Sequence, residues 1–252
     1  MKEKRSRELD NSAKLFPLVI CKKYNGTFRI SFTLSSNINE YQLQKATMKT
    51  LDEIPFFKFK LKRGLFWHYL VLNNSPVVIN KSSKKICNKI NFKDNNNYLF
   101  NITYSNNKVN VDILHYLCDG ISGKIFVNKI LENYLIINNN HPNVFNSKIN
   151  YTINDDYIKN YNQKIKSVKE KENTTNIYKV KGTLLQDNNI DITKLNINLK
   201  SLKRKSQKKQ CSVTEYICGI LIYSIKNTST YKNTINKRIR VCVPIDLRTP
   251  KI

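Results

Sequence analysis

The residues best equipped for chemistry stand together in the stretch ILHYLCDGISG, positions 113–123. His115 is one of only three histidines in the chain, and Asp119 and Gly120 follow it by four and five positions. Imidazole is the side chain best suited to act as a general base near neutral pH. Gly120 removes a side chain where a ligand could approach the backbone. The cluster can be read as an active site, a metal site or an ordinary strand-to-helix turn. The metal reading of His115 and Asp119 lacks a third ligand at any recognisable spacing. A nucleophilic Cys118–His115 pair has no supporting acid, and Cys118 reads more simply as a small buried residue. Ser122 lies outside a GxSxG elbow, so helix capping is its better reading.

Patterned elements must hold this loop. TFRISFTLSS (27–36) sets Phe28, Ile30, Phe32 and Leu34 at period two, which predicts a half-buried strand. Asn39 then opens a helix, with Gln42 as its capping partner three residues on; Leu43, Ala46, Thr47, Thr50, Leu51 and Ile54 share one face, and Pro55 stops it. FKFKLKRGLFWHYLVLN alternates Phe57, Phe59 and Leu61, turns near Arg63-Gly64 and predicts a hairpin. Trp67 is expected in the core and His68 exposed. Residues 80–97 read as polar loop. YLFNITY (98–104), Asn106-Asn107 and KVNVDIL (108–114) predict a second hairpin, which delivers His115.

Beyond Gly120, Ile121, Ile125, Ile130, Leu131, Tyr134 and Leu135 recur at helical spacing. Residues 138–176 are rich in Asn and Lys and show little periodicity, and His141 there is a poor candidate for any role. NIYKVKGTLL (176–185) is expected as a strand, followed by the basic helix LKSLKRKSQKK. CSVTEYICGILIYSIKN follows as a strongly apolar helix capped by Ser212 and Glu215. RIRVCVPIDLRTP is expected as a strand with Val241 and Val243 buried. The order predicts a mixed α/β (α+β layered) protein with a mostly antiparallel sheet and flanking helices. The domain division is expected at 1–170 and 171–252. The chain ends soon after a strand, so the second subdomain is expected to be incomplete.

At 252 residues, 40% apolar and 25% charged, the chain can bury a full core, and the composition excludes wholesale disorder. Lys+Arg 44 against Asp+Glu 18 gives a net charge of +26, which attracts polyanions. Abundant Lys, Asn, Ile and Tyr also fit an AT-rich coding bias, so charge alone names no partner. KSLKRKSQKK (200–209) reads first as a solvated helix face. It carries no interleaved aromatics, which argues against specific nucleic-acid binding. The six cysteines form no CxxC pair and no zinc-like cluster, as in a reduced chain. No apolar run approaches the roughly 18 residues that span a bilayer. The N-terminal run LFPLVIC is short and broken by Pro17, against a signal peptide. A cytoplasmic location without a membrane span is the expectation.

LHYLCDG resembles the HxxxDG core of the chloramphenicol-acetyltransferase-like superfamily, which includes condensation domains of peptide synthetases and BAHD-type acyltransferases. Leu114 stands where many members carry a first histidine, and His115 matches the second, the catalytic one. FRISFTLSSNINEYQLQKATMKTLDEIPFFKFKLKRGLFWHYLVLN is similar to the opening of bacterial alcohol acetyltransferases. VCVPIDLRTP looks like the family's P-V-[ND]-L-R strand.

The resemblance implies a chloramphenicol-acetyltransferase-like fold and transfer of an acetyl or acyl group from acyl-CoA to an alcohol or amine acceptor. His115 would be the general base. Asp119 would hold the loop by pairing with Arg248, and Gly120 would let the pantetheine arm pass. Acyl-CoA would be a co-substrate, with no permanently bound cofactor and no metal; the basic run at 200–209 would attract its phosphates. The alternatives are a condensation-type domain taking its acyl group from a carrier protein, and an inactive or partner-requiring half-enzyme whose second half comes from another chain. No R/Q-x-x-G-x-G/A loop and no Gly-rich nucleotide loop occurs, which argues against the other acetyl-CoA and nucleotide folds.

Overall fold

The structure, a computed structural model, describes residues 6–9, 25–65, 68–82, 86, 89–138, 176–180, 182–183, 185, 190–232 and 237–243. The chain divides into two compact units, Met1–Tyr151 with Leu185–Ile190, and Thr152–Leu184 with Asp191–Ile252. Residue 170, where the sequence placed the division, lies outside the described residues.

The first unit holds two sheets. Strands β1 (Ser6–Glu8), β3 (Phe59–Arg63) and β4 (His68–Leu72) form one, in the order β1-β4-β3, and both pairings are antiparallel. Strands β2 (Thr27–Thr33), β5 (Ile79–Lys81), β6 (Phe100–Ser105) and β7 (Lys108–Leu114) form the other, in the order β2-β7-β6-β5. Within these two sheets, only the described β5–β6 pairing is parallel. Helices α1 (Glu40–Glu53) and α2 (Gly120–Ile137) pack on each other and flank the sheet. The fold is therefore mixed α/β with a mostly antiparallel sheet and flanking helices, as the element order predicts.

Strand alternation sorts the four-stranded sheet into two faces. Phe28, Ile30 and Phe32 lie opposite Ile113, Val111 and Val109, which in turn lie opposite Phe100, Ile102 and Tyr104. This apolar face meets the helices. Phe126 of α2 stacks on Phe57 with ring centroids 3.9 Å apart and meets Phe100 edge-on at 5.1 Å. The reverse face carries Arg29, Ser31, Asn110, Asp112 and Thr103, and Asn110, Asp112 and Thr103 are buried there. Tyr134 of α2 accepts the Asn39 backbone N–H at 2.9 Å, which ties the start of α1 to its neighbour.

Several expectations change. Phe57 is buried in a short 3-10 turn (Pro55–Lys58), because Pro55 favours a helical φ and delays the strand to Phe59. The supposed loop from residue 80 begins inside β5. Further on it is packed through Ile90 and Asn95, whose Nδ2 donates to the Tyr98 and Phe100 carbonyls at 2.9 Å each. His68 is half-buried, because it faces Arg63 within the β3–β4 ladder. Trp67 and His141 lie outside the described residues.

In the second unit, α3 (Leu199–Lys208), α4 (Val213–Lys226) and α5 (Ser229–Lys232) follow in order. The Ser212–Glu215 capping box is formed: Glu215 N–H donates to Ser212 Oγ at 3.2 Å, and Ser212 N–H to Glu215 Oε2 at 2.7 Å. Of the strands expected at 176–185 and 238–250, the described residues form one bridge, between Ile177 and Arg238. Val243 is 43% exposed, so it is not the core residue its alternation suggested. Among the described residues, no helix is long and apolar enough to cross a membrane.

Candidate functional site

β7 is buried along Val109–Leu114 and ends where His115 emerges to solvent. The β2–β7 ladder pairs Thr27 with Leu114, so the next position places His115 opposite Gly26. There the His115 backbone N–H donates to the Gly26 carbonyl at 2.8 Å. Gly26 has a positive φ of 65°, a conformation glycine adopts at little cost, and the Asn25 side chain accepts the Thr27 N–H at 3.1 Å across it. The chain then turns, with the Leu117 N–H donating to the Leu114 carbonyl at 2.9 Å. Tyr116, Leu117 and Cys118 are all buried. An exposed imidazole thus rides on a loop whose next three side chains are anchored in the core.

The imidazole has a defined neighbour. The Phe28 ring meets it edge-on, with centroids 5.5 Å apart and planes 66° apart. Phe28 is in turn pressed by α2: a Cβ placed on Gly123 would lie 2.9 Å from Phe28 Cε2 and 3.2 Å from Ile113 Cδ1. Neither Phe28 nor Gly123 was singled out from sequence as a site residue. The available signal was Gly123 itself, a glycine inside a helical pattern, which asks for a packing reason.

Asp119 is the N-cap of α2, with Oδ1 accepting the Ser122 backbone N–H at 2.9 Å. The cap is thus supplied by Asp119, and Ser122 contributes its main chain; this corrects the expectation that Ser122 caps. The carboxylate satisfies one of the orphan N–H groups of the first turn and sits at the positive end of the helix dipole. Gly120 begins the helix in the open: a Cβ built on it would meet no heavy atom within 4 Å. Arg248 lies outside the described residues, so its pairing with Asp119 has no geometry here.

Burial, helped by the Asp119 charge, pushes the Cys118 thiol well above its ordinary range. Cys118 therefore stays protonated at neutral pH and is a poor nucleophile, against a Cys–His pair. Tyr116 is likewise pushed upward by burial. The four cysteines among the described residues, Cys118, Cys211, Cys218 and Cys242, are free thiols. Among the described residues, no group of three His, Cys, Asp or Glu side chains is placed to hold a metal. Lys200, Lys203, Arg204, Lys205, Lys208 and Lys209 of the basic run are all exposed.

One ion pair braces the strands behind the loop. Arg29 Nε and Nη2 donate to Asp112 Oδ1 and Oδ2, each at 2.7 Å, with Asp112 almost fully buried. Sequence patterning did not reveal it, since Arg29 reads as an outward residue of an alternating strand.

No protein-family model matches the chain, and no curated protein matches it. Solved structures do. Polyketide synthase associated protein 5 from Mycobacterium tuberculosis is similar over 53% of this chain and 32% of its own, at 14% identity and a TM-score of 0.40. The starter condensation domain of rhizomide synthetase RzmA is similar over 54% of this chain and 38% of its own, at 8% identity and a TM-score of 0.42. F. sporotrichioides TRI101 complexed with coenzyme A and T-2 is similar over 51% of this chain and 41% of its own, at 10% identity and a TM-score of 0.34. The chain spans between 32% and 41% of the length of these structures. These are likenesses of backbone course over about half of the chain, and no residue role passes from them to it.

Proposed function

We propose that the chain belongs to an acyltransferase that moves an acetyl or acyl group from acyl-CoA to an alcohol or amine, with His115 as general base. The observation that carries this reading is the exposed imidazole at the end of a buried strand, on a loop anchored by Tyr116, Leu117 and Cys118 and followed at once by the capped start of α2. The ordered HxxxDG and PIDLR blocks, which resemble those of the chloramphenicol-acetyltransferase-like superfamily, supply the chemistry.

In this mechanism His115 takes the proton of the acceptor hydroxyl as its oxygen attacks the thioester carbonyl. The carbonyl electrons move onto oxygen and give a tetrahedral intermediate. When it collapses, the carbon–sulfur bond breaks, the CoA sulfur takes the proton from the imidazolium, and ester and free thiol leave. Asp119 acts through the main chain, by fixing where α2 begins. Its charge and Arg248 form the loop-holding pair that the resemblance implies. Open space at Gly120 leaves the backbone approachable from the side where a pantetheine arm would pass.

The test supplies purified protein with acetyl-CoA, longer acyl-CoA thioesters and a carrier-protein-bound thioester, each with a panel of alcohols and amines. Ester or amide product is followed by mass spectrometry. Product from CoA thioesters supports the reading; product only from the carrier-bound thioester converts it to a condensation-type domain. No product from any donor removes it.

A further inference from the structure

We infer that Gly123 and Phe28 are positioning residues for the His115 imidazole, a role that rests on the acyltransfer reading of His115 but has its own structural readout. Three elements meet at the Phe28 ring. β2 supplies the ring, β7 supplies Ile113 opposite it and His115 two residues further, and α2 supplies the gap at Gly123. The edge-on contact with the imidazole is a favoured aromatic geometry. It sets one ring against an imidazole that is itself exposed.

The ring holds its place because α2 carries no side chain at Gly123. A methyl there would stand 2.9 Å and 3.0 Å from Phe28 Cε2 and Cζ, inside any tolerable carbon–carbon contact. The same methyl would also stand 3.2 Å from Ile113 Cδ1. The ring must then move, and its contact with His115 moves with it. The first turn of α2 is closed by the Asp119 cap and by the Gly123 N–H, which donates to the Asp119 carbonyl at 2.9 Å.

The experiment uses the full chain with carbon-13-labelled histidine. Only His68, His115 and His141 give signals, and His115→Gln identifies the His115 resonance. Phe28→Leu, which removes the ring without adding bulk, moves the His115 ring resonances toward their unfolded positions. Gly123→Ala moves the same resonances, and the double variant Gly123→Ala/Phe28→Leu, in which the methyl has room, behaves as Phe28→Leu alone. With acyl-CoA turnover as second readout, both single variants lower kcat by about tenfold or more while KM for the acyl donor changes little, as expected when a reacting group is misoriented. Unchanged His115 resonances in folded Phe28→Leu, or moved resonances with unchanged kcat, overturn the positioning role. If the wild type turns over no thioester, the acyltransfer reading falls, whereas the resonances still decide whether Phe28 and Gly123 orient His115. If Gly123→Ala does not fold, Phe28→Leu and the double variant decide it.

Discussion

Arg29 and Asp112 face each other directly across β2 and β7, joined by two hydrogen bonds of 2.7 Å, three register positions from His115 and Gly26. The pair lies on the face away from the helices, where a buried charge without a partner is costly. It therefore ties the strand register to an electrostatic requirement. A slip of one residue would carry Phe28 to the wrong face of the sheet and His115 away from Gly26.

Breaking this pair on one side should cost about 3–5 kcal/mol. Asp112→Ala takes both of these bonds from the guanidinium, and Arg29→Met takes them from the buried carboxylate. The double variant Arg29→Met/Asp112→Leu should lose much less, because it removes both charges of the pair together. Urea denaturation of the four proteins closes the cycle. Equal losses in the single and double variants would show that the pair does not act as a unit.

Asp119 separates capping from charge. Asp119→Asn keeps an oxygen that can accept the Ser122 N–H, so it should hold stability near wild type, whereas Asp119→Ala should lose about 1 kcal/mol of stability. If Asp119 also pairs with Arg248, the neutral Asn variant loses turnover even though it remains folded, and Arg248→Gln loses it to a similar extent. Thermal denaturation read beside thiol release distinguishes the two contributions. An Asn variant as unstable as the Ala variant would contradict the cap.

Alkaline pH should weaken the fold. The buried Tyr98 phenol is pushed up from 10.0 to about 12, mainly by burial, and Tyr116 and Cys118 are pushed up for the same reason. Each group is held neutral in the folded chain but ionises at its ordinary value when unfolded. Its contribution is therefore complete below the unfolded value, 9.0 for the thiol and 10.0 for the phenols, and is lost as pH rises from there toward the folded value. The urea midpoint should fall steadily from about pH 9 upward, and less steeply in Cys118→Ala. In the same range, Cys118 should resist thiol reagents until the protein unfolds, unlike the exposed Cys242. A midpoint flat to pH 11 would contradict this account.

The sequence was most legible where one periodicity dominates. β7, the turn at Asn106-Asn107 and α2 follow directly from KVNVDIL, the paired asparagines and the apolar spacing after Gly120. β1 and β5 were not legible. Each is three residues long and exists through its partner strand rather than through its own pattern. VCV, by contrast, alternates well but makes no ladder among the described residues, because alternation describes a face and not a partner. At the site, His115, Asp119 and Gly120 stood out by residue type and spacing. Phe28, Gly123 and Gly26 did not, since their contribution arises from three elements meeting, which no local window contains. Asp119 was visible as a special residue, but its bond to the Ser122 main chain required the backbone to be seen.

In the proposed acyl transfer, the His115 imidazole moves the proton. The most direct measurement is release of free thiol from acetyl-CoA in the presence of an accepted alcohol, compared between wild type and His115→Ala. The side chain is exposed, so its removal should leave the fold intact by circular dichroism. In the folded variant kcat should fall about 10²- to 10⁴-fold. Equal thiol release by the two proteins would contradict it.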